Sequence, residues 1–179
     1  PTFTASATNG CSPFSVSYTA SPQEVGNSYS WSFEGGAPST SSDPNPTITY
    51  NSAGAFDVSL TITNAAGPAS ITQTDYITVG TAPTAGFTAT STAGSLTVSL
   101  ADQSSGANTI SWNFDDGNMA SGTQTSYTYD SPGTYTITQT VENECGTDVA
   151  MQSVILILPV NPTFTASATN GCSPFSVSY

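Results

Sequence analysis

The side chains that could support chemistry in this 179-residue sequence are twelve carboxylates and three cysteines, because Lys, Arg and His are all absent. A Ser-His-Asp triad, a Cys-His pair, a Schiff-base lysine and a phosphate-binding arginine are therefore impossible. Catalysis would need convergent carboxylates or a metal ion held entirely by oxygen atoms, and no spacing in the sequence supplies either. We expect a protein that is not an enzyme and that needs no cofactor.

One short acidic segment is the best candidate for a metal site. Asp115, Asp116 and Asn118 lie together in the run Asp-Asp-Gly-Asn, and calcium takes several oxygen ligands of this kind. In an extended stretch only Asp116 and Asn118 would face the same side, and the ligand spacing of a calcium loop is absent. Asp-Gly between strand-like runs is typical of a hairpin turn. We therefore predict a turn, with calcium at these three residues as the alternative.

The charge of the chain is entirely negative. Twelve acidic residues and no basic ones give a formal net charge of −12, whereas an ordinary chain is about a quarter charged with both signs present. Such a chain has nothing to bind phosphates, so we predict no nucleic-acid partner. Anionic membrane surfaces are disfavoured, and no stretch is long and apolar enough for direct membrane insertion. Trypsin-like proteases find no cleavage site.

The end of the sequence repeats its beginning. Positions 162–179 are identical to positions 1–18, at a shift of 161 residues. Chance does not produce such a match, and an old duplication would have diverged. We interpret the chain as one period of a longer array of near-identical units, followed by the opening of the next unit. The expected partners are identical repeats joined end to end.

Apolar residues recur in short alternating runs, about ten residues apart, separated by Gly, Pro, Asn and Asp. This spacing is typical of a sandwich of two antiparallel sheets. A weaker internal repeat relates Trp31-Ser32-Phe33 to Trp112-Asn113-Phe114. We predict two sandwich domains over 1–80 and 81–161, with 162–179 starting the next repeat. The predicted strands are 2–7, 14–20, 28–34, 46–50, 55–64, 70–79, 84–90, 95–101, 109–115, 125–129, 134–143 and 148–158.

These motifs resemble those of polycystic kidney disease (PKD) domains. The second half has Trp112-Asn113-Phe114-Asp115-Asp116-Gly117, then Tyr129 and Gly133-Thr134-Tyr135-Thr136-Ile137. The first half departs at the turn, where it has Phe33-Glu34-Gly35-Gly36. The resemblance covers nearly the whole chain and implies an all-β, immunoglobulin-like sandwich with an extracellular spacer, adhesion or matrix role, often in tandem arrays on microbial surfaces. It implies no activity, since one fold hosts many functions.

The aromatic residues of the repeated motif are predicted to form the two cores. Alternation places each Trp and the Phe two positions later on one face of a strand. The alternative for the tryptophans is a platform on which sugar rings stack. A corner hydrogen bond is expected from Tyr50 in the first half and from Tyr129 in the second. The predicted core residues are Trp31, Phe33, Tyr50, Phe56, Trp112, Phe114, Tyr129 and Tyr135.

The three cysteines fall in loops of the predicted sandwiches. Cys11 lies between the first two strands of the first domain, and Cys145 between the last two strands of the second. Such loops sit at opposite ends of an immunoglobulin-like domain, so head-to-tail stacking would bring Cys11 to Cys145. Cys172, the copy of Cys11, would then pair within the next repeat. A Cys145–Cys172 bond and free thiols are the alternatives, and secretion favours bridging.

Near the end of the second domain, Val154, Ile155, Leu156, Ile157 and Leu158 form a strand that is apolar on both faces. A strand of this kind must be covered on both sides. We predict an interface, either at the junction with the following domain or laterally between neighbouring chains in a bundle. The proline-bounded linkers at 80–83 and 159–162 are expected to be stiff.

The function expected from these features is that of a structural repeat unit. Rigid units in tandem would give a long, stiff, protease-resistant fibre in an extracellular filament or a giant cell-surface protein. The alternative is an adhesin or a carbohydrate-binding accessory module of a secreted protein, with or without a calcium requirement. Either function predicts an extracellular or cell-surface location.

Overall fold

The structure, a computed structural model, describes residues 1–163, 165–167, 170–174 and 176. Sixteen β-strands account for the regular secondary structure of this described part of the chain. No helix long and apolar enough to cross a membrane occurs within those residues. The strands divide at Gly80 into two sandwiches, so the fold is all-β, as the sequence predicts.

Domain one packs a four-stranded sheet, in the order β1-β3-β7-β5, against a five-stranded sheet, in the order β2-β9-β8-β4-β6. All its strand pairs are antiparallel except β2 with β9, which run parallel. The strands are β1 (Thr2–Ala5), β2 (Asn9–Cys11), β3 (Phe14–Ser21), β4 (Ser28–Phe33), β5 (Gly36–Ala37), β6 (Thr40–Ser41), β7 (Thr47–Tyr50), β8 (Gly54–Asn64) and β9 (Gly67–Gly80).

Domain two repeats this plan with fewer edge strands. A three-stranded sheet, in the order β10-β11-β14, packs against a four-stranded sheet, in the order β13-β12-β15-β16. Among the described residues, no strand corresponding to β2 pairs with β16, which therefore forms the edge of the second sheet. The strands are β10 (Phe87–Ser91), β11 (Thr97–Asp102), β12 (Thr109–Asn113), β13 (Met119–Ser121), β14 (Ser126–Thr128), β15 (Gly133–Asn143) and β16 (Gly146–Leu156).

Alternation along the strands builds the core of each sandwich. In β3, for example, Val16, Tyr18 and Ala20 are buried while the residues between them are exposed. Each domain has one apolar cluster of its own, as expected of separate domains. Of the aromatic residues singled out in the sequence, six are buried and two are half-buried against the cores. The buried six are Trp31, Phe33, Tyr50, Trp112, Phe114 and Tyr129, and the half-buried two are Phe56 and Tyr135.

The polar atoms of the buried aromatic residues have partners inside the protein. The Trp31 Nε1–H donates to the Asp43 carbonyl (2.8 Å), and the Trp112 Nε1–H donates to the Gly122 carbonyl (2.9 Å). Burial of both indoles removes them as stacking platforms for sugars. The Tyr129 hydroxyl donates to the Phe114 carbonyl (3.0 Å), which is a corner bond of the expected kind.

The corresponding tyrosine of domain one bonds differently. The Tyr50 hydroxyl lies 2.8 Å from the Tyr18 hydroxyl in the core, so the expected bond to a backbone corner is replaced by a bond between side chains. Burial, followed by the Tyr50 hydrogen bond, raises the pKa of Tyr18. The pair satisfies two buried hydroxyl groups that would otherwise be costly.

The apolar run at the end of β16 requires a correction. The sequence suggested that all of Val154–Leu158 forms an interface, but Val154 (5% exposed) and Leu156 (1%) belong to the core of domain two. Strand alternation turns them inward and leaves Ile155 (66%) and Ile157 (63%) outside, with Leu158 half-exposed. Only the outward residues remain available for an interface.

The predicted start of a next repeat, 162–179, lies partly outside the described residues. Among the residues of this segment that are described, none is in a strand. In domain one, β1 pairs through Thr2–Ala5 with Tyr18–Ser21. The partner of a copied β1 would therefore be a copied β3, of which the 162–179 segment contains only the beginning.

Candidate functional site

A disulfide joins the two domains at their junction. Cys11, at the end of β2, bonds to Cys145 in the turn between β15 and β16, and their Cα atoms are 5.4 Å apart. Strand β2 pairs with the last residues of β9, Thr78–Gly80, so the bond ties the exit of domain one to a turn of domain two. Of the pairings left open by the sequence, this is the one in the structure. Cys172 is an exposed free thiol, and its pairing with a further repeat stays a prediction.

The main chain of domain one approaches the disulfide closely. A Cβ atom at Gly80 would lie 2.9 Å from Cys145 Sγ, closer than side-chain carbons approach such atoms. The Gly80 carbonyl also accepts a hydrogen bond from the Ser12 N–H at 2.9 Å. Glycine at this position therefore allows the exit strand, the β2 segment and the disulfide to share a narrow space.

Asn143 fastens the linker to the same turn. Its Nδ2 donates to the Thr81 carbonyl (2.9 Å) and to the Gly106 carbonyl (2.7 Å). Its Oδ1 accepts from the Cys145 N–H (2.8 Å), which fixes the turn that carries the disulfide. One amide side chain thus connects the linker, a loop of domain two and the cysteine-bearing turn.

Side chains on β15 and β16 bind the entry segment of domain two, residues 84–89. Three main-chain N–H groups of this segment donate to side-chain oxygens rather than to a neighbouring strand. These bonds join Ala85 to Asp148 (2.8 Å), Gly86 to Gln139 (2.9 Å) and Ala89 to Gln152 (2.7 Å). The backbone bond from Ala85 lowers the pKa of Asp148. The entry segment is therefore fixed to the sheet that also carries the disulfide turn.

Gln139 is the central member of this group, and sequence reasoning did not predict its role. Its side chain is fully buried, and its Nε2 donates to Asp102 Oδ1 (2.8 Å) while its Oε1 accepts from Gly86. Burial of Asp102 opposes ionisation, but hydrogen bonds from Ser104 and Gln139 outweigh it and lower the pKa. The only sequence signal is a polar residue at an inward position of an otherwise apolar strand.

Domain one lacks this arrangement. Asn64 and Gly67 correspond to Asn143 and Gly146 at the ends of the equivalent turns. Counting from them along the strands, Leu60 takes the place of Gln139, and an alanine at position 69 takes the place of Asp148. The two domains share a fold, but only the second carries the side chains that fix the segment entering it.

The acidic turn between β12 and β13 is held by bonds within the protein. Asp115, with φ of 65°, accepts from the Thr136 N–H (3.0 Å), and Asp116 accepts from the Asn118 N–H (3.0 Å) and the Tyr127 hydroxyl (2.7 Å). Burial opposes ionisation of Asp116, yet the hydrogen bonds from Tyr127 and Asn118 together outweigh it and lower the pKa. In the described part of the chain, no three His, Cys, Asp or Glu residues are grouped to hold a metal. This geometry is that of a hairpin turn.

The family model of the PKD domain matches residues 2–79 and again residues 81–156. Among solved structures, the chain is similar to the PKD1 domain of the Vibrio cholerae metalloprotease PrtV, with 25% identity over 42% of this chain and 96% of that one, at a TM-score of 0.38. It is also similar to the PKD1 domain of Vibrio anguillarum Epp, with 26% identity over 44% and 96%, at a TM-score of 0.39. Comparison with curated proteins gives no match. Because the two family matches cover most of the sequence, the chain belongs to the PKD domain family and contains two PKD domains in tandem.

Proposed function

We propose that this chain is a structural repeat unit of an extracellular filament or a giant cell-surface protein. The observation that carries the proposal is the Cys11–Cys145 bond, which locks two tandem domains into one block. PKD domains are commonly extracellular structural or adhesive modules and are generally not catalytic. A repeated block with a fixed internal joint supplies what a fibre needs, namely length and stiffness.

Two further features support this function. The sequence of 1–18 recurs at 162–179, which is expected if such blocks follow one another in an array. A disulfide between domains persists in oxidising surroundings, such as the outside of the cell. The chain also offers trypsin-like proteases no Lys or Arg, which suits a fibre that must last in such surroundings.

Electron microscopy of the native material tests the proposal directly. Two sandwiches, each about 35–40 Å long, should give an axial repeat of roughly 70–80 Å along an extended contour. A compact, monodisperse particle without an axial repeat would contradict the fibre function.

The outward face of β16 supports a lateral contact between copies of the filament. Val149, Met151 and Ile155 are all exposed on that face of the edge strand. At the equivalent positions of β9, domain one has Ser70, Thr72 and Thr78. The fold therefore does not require apolar residues there. We propose that a second copy of the chain covers this row, which recurs with each period so that weak contacts add up along two filaments.

Replacing the exposed apolar residues of this row with the residues that domain one has at the same positions should abolish the lateral contact. The triple variant Val149→Ser, Met151→Thr and Ile155→Thr gives β16 the outward residues of β9. Because these side chains are exposed, domain two should fold as before. We expect single filaments instead of bundles in electron micrographs, with the axial repeat unchanged. Bundles that persist in this variant would show that the row is not the lateral interface.

A further inference from the structure

The structure shows the joint between domains one and two. It also shows the two surfaces that would meet if domain two were followed by another copy of domain one. Here the period joint means the contact between the end of domain two, residues 93–94 and 157–159, and the turn 64–67 at the start of the following repeat. We propose that this joint repeats the geometry of the disulfide joint, with an apolar contact between Ala93 and the Ala66 of the next repeat in place of the disulfide. The inference rests on the proposed function, since it requires tandem repeats.

A backbone hydrogen bond shows which residue of domain two corresponds to Cys11 of domain one. In domain one, the Ser12 N–H donates to the Gly80 carbonyl at 2.9 Å. In domain two, the Gly94 N–H donates to the Ile157 carbonyl at 3.2 Å. Gly80 and Ile157 each follow directly after the last core residue of the final strand of their domain, Val79 and Leu156. Position 93 therefore corresponds to position 11, so Ala93 stands where domain one has its cysteine.

A second hydrogen bond shows which residue of domain one corresponds to Cys145 of domain two. The Cys145 N–H donates to Asn143 Oδ1 at 2.8 Å, and the Ala66 N–H donates to Asn64 Oδ1 at 2.9 Å. The two turns have the same length and the same bond, so Ala66 stands where domain two has its cysteine. Each of the two bonded cysteines thus has an alanine at its equivalent position.

The neighbouring residues change size in a complementary way. At the disulfide joint, Gly80 leaves room for the sulfur of Cys145, since a Cβ there would lie 2.9 Å from it. At the period joint, a large residue, Ile157, replaces that glycine, and a small one, Ala66, replaces that cysteine. The space freed by the missing sulfur is available to the isoleucine side chain. This exchange of small and large residues is expected if the same contact is made in both joints.

The receiving surface is apolar and open. Ala93, Gly94, Ile157, Leu158 and Pro159 line a groove of about 190 Å³. Ile157 is 63% exposed and Leu158 is 48% exposed, so apolar area remains for a partner to bury. The turn that would enter it carries two exposed alanines in succession, at positions 65 and 66. An apolar turn and an apolar groove match in chemistry.

The linkers also match in length. Seven positions separate Gly80 from the first core phenylalanine of domain two, Phe87, and seven separate Ile157 from Phe164, the copy of Phe3. Leu158 thus takes the place of Thr81, whose carbonyl accepts from Asn143 at 2.9 Å. In the period joint, the Asn64 side chain of the next repeat is placed to donate to the Leu158 carbonyl. The occupant of the groove is therefore the domain-one turn of the following copy.

Cysteine cross-linking tests this contact in a chain in which residues 1–161 are followed by a second copy of residues 1–161. Ala93→Cys is introduced in the first copy and Ala66→Cys in the second. The docked joint predicts spontaneous formation of the new disulfide while both native Cys11–Cys145 bonds remain. Non-reducing peptide mapping, with a protease that cuts at acidic residues, identifies the bonds.

The matched control combines Ala93→Cys with Val25→Cys in the second copy. Val25 is fully exposed in the loop 22–27 beside the same turn, so a freely moving joint would bring both thiols of either pair together. A docked joint should cross-link Ala93→Cys to Ala66→Cys roughly tenfold faster than to Val25→Cys, because only the first pair is held together. Equal rates for both pairs, or no bond in the first pair, would overturn the inference.

A substitution inside the groove provides a second readout that does not depend on cross-linking. Ile157→Asp places a charge at an exposed position, so folding of domain two should be unaffected. Small-angle scattering of the two-copy chain should then show a broader distribution of lengths than the parent chain, and an unchanged distribution would count against the contact. Failure of either test leaves the axial repeat of the native material unaffected, so it is distinguishable from failure of the proposed fibre function.

Discussion

At the scale of single residues, the disulfide joint depends on one glycine. Gly80 is the residue of β9 that faces the Cys145 sulfur, and it also provides the carbonyl that binds Ser12. Position 80 must leave room for the sulfur and must also place its carbonyl to accept the hydrogen bond from Ser12. A larger residue could still accept this main-chain hydrogen bond, but its side chain would collide with the sulfur.

Gly80→Ala should therefore destabilise the protein. The added Cβ would lie 2.9 Å from Cys145 Sγ, and relief of such a contact in a packed site costs about 1–3 kcal/mol. Denaturant unfolding measures the loss. Gly86→Ala is the control, because its Cβ would meet its nearest neighbour at an ordinary 3.6 Å.

A double-mutant cycle assigns the cause of that loss. When Cys145 is replaced by Ala, the sulfur is gone and Gly80→Ala should cost almost nothing further. If the two substitutions instead add, the cost arises elsewhere in the strand and the close approach does not explain it.

A second residue-scale prediction concerns acid. The pKa of Asp148 is lowered by the Ala85 N–H, so ionised Asp148 stabilises the fold above its unfolded pKa, and this contribution is lost as pH falls through the lower folded value. Asp148→Asn keeps an acceptor but does not titrate. Between neutral pH and about pH 3, the variant should lose less stability than the parent chain in denaturant unfolding. Equal losses would show that this carboxylate is not linked to folding.

At the scale of elements, the unusual part of domain two is its entry segment. Residues 84–89 bind the sheet of β15 and β16 through side-chain oxygens rather than through a strand ladder. In domain one, the corresponding strand β1 pairs with β3, and Leu60 and Ala69 stand where domain two has Gln139 and Asp148. The first segment of domain two is thus bound to the second sheet by side chains that domain one does not have at the equivalent positions.

Gln139→Leu should weaken this attachment in domain two. Leucine occupies the equivalent position 60 of domain one, so the size is acceptable, but the Gly86 N–H and the Asp102 carboxylate would each lose a partner. The expected loss in free energy of unfolding is about 1–3 kcal/mol. Gln103→Leu makes the same change at an exposed neighbouring position and should stay within about 0.5 kcal/mol of the parent. A similar loss in both variants would contradict a specific role for the buried amide.

The elements also show what the sequence could predict. Alternation located the long strands, and the Trp-x-Phe motifs located the cores, because burial on one face leaves a period-two pattern. Gln139 was not predicted, since its partners lie in an irregular segment that no local pattern places. The run at 154–158 was misread because five consecutive apolar residues do not reveal which ones face inward. The short β2 escaped notice because its only signal is a parallel pairing far along the chain.

At the scale of the whole molecule, a single covalent bond couples two independent cores. Each domain has its own apolar cluster, so each should fold without the other. The disulfide closes a separation of 134 residues, which removes many conformations from the unfolded chain. Its main effects are therefore on the unfolded state and on the angle between domains.

Cys11→Ser should leave both sandwiches folded but loosen the block. Chain-entropy arguments give a stabilisation of about 4–5 kcal/mol for a loop of this length. We expect an earlier unfolding midpoint and, in small-angle scattering, a broader range of dimensions. Cys172→Ser, which removes only the free thiol, should behave like the parent chain. Identical unfolding of all three proteins would show that the bond does not hold the domains together.

The position of the disulfide also determines how the chain bears a pulling force. Tension applied at the two ends of a period passes from residue 11 to residue 145 through the sulfur atoms and bypasses the 134-residue separation between them. Fully stretched, that hidden length is about 440–480 Å per period, and it is released only when the bond is reduced. In single-molecule stretching, oxidised arrays should therefore yield short steps from the terminal segments, and reductant should add steps corresponding to whole domains. Extensibility in such a fibre would be set by the redox state of its surroundings.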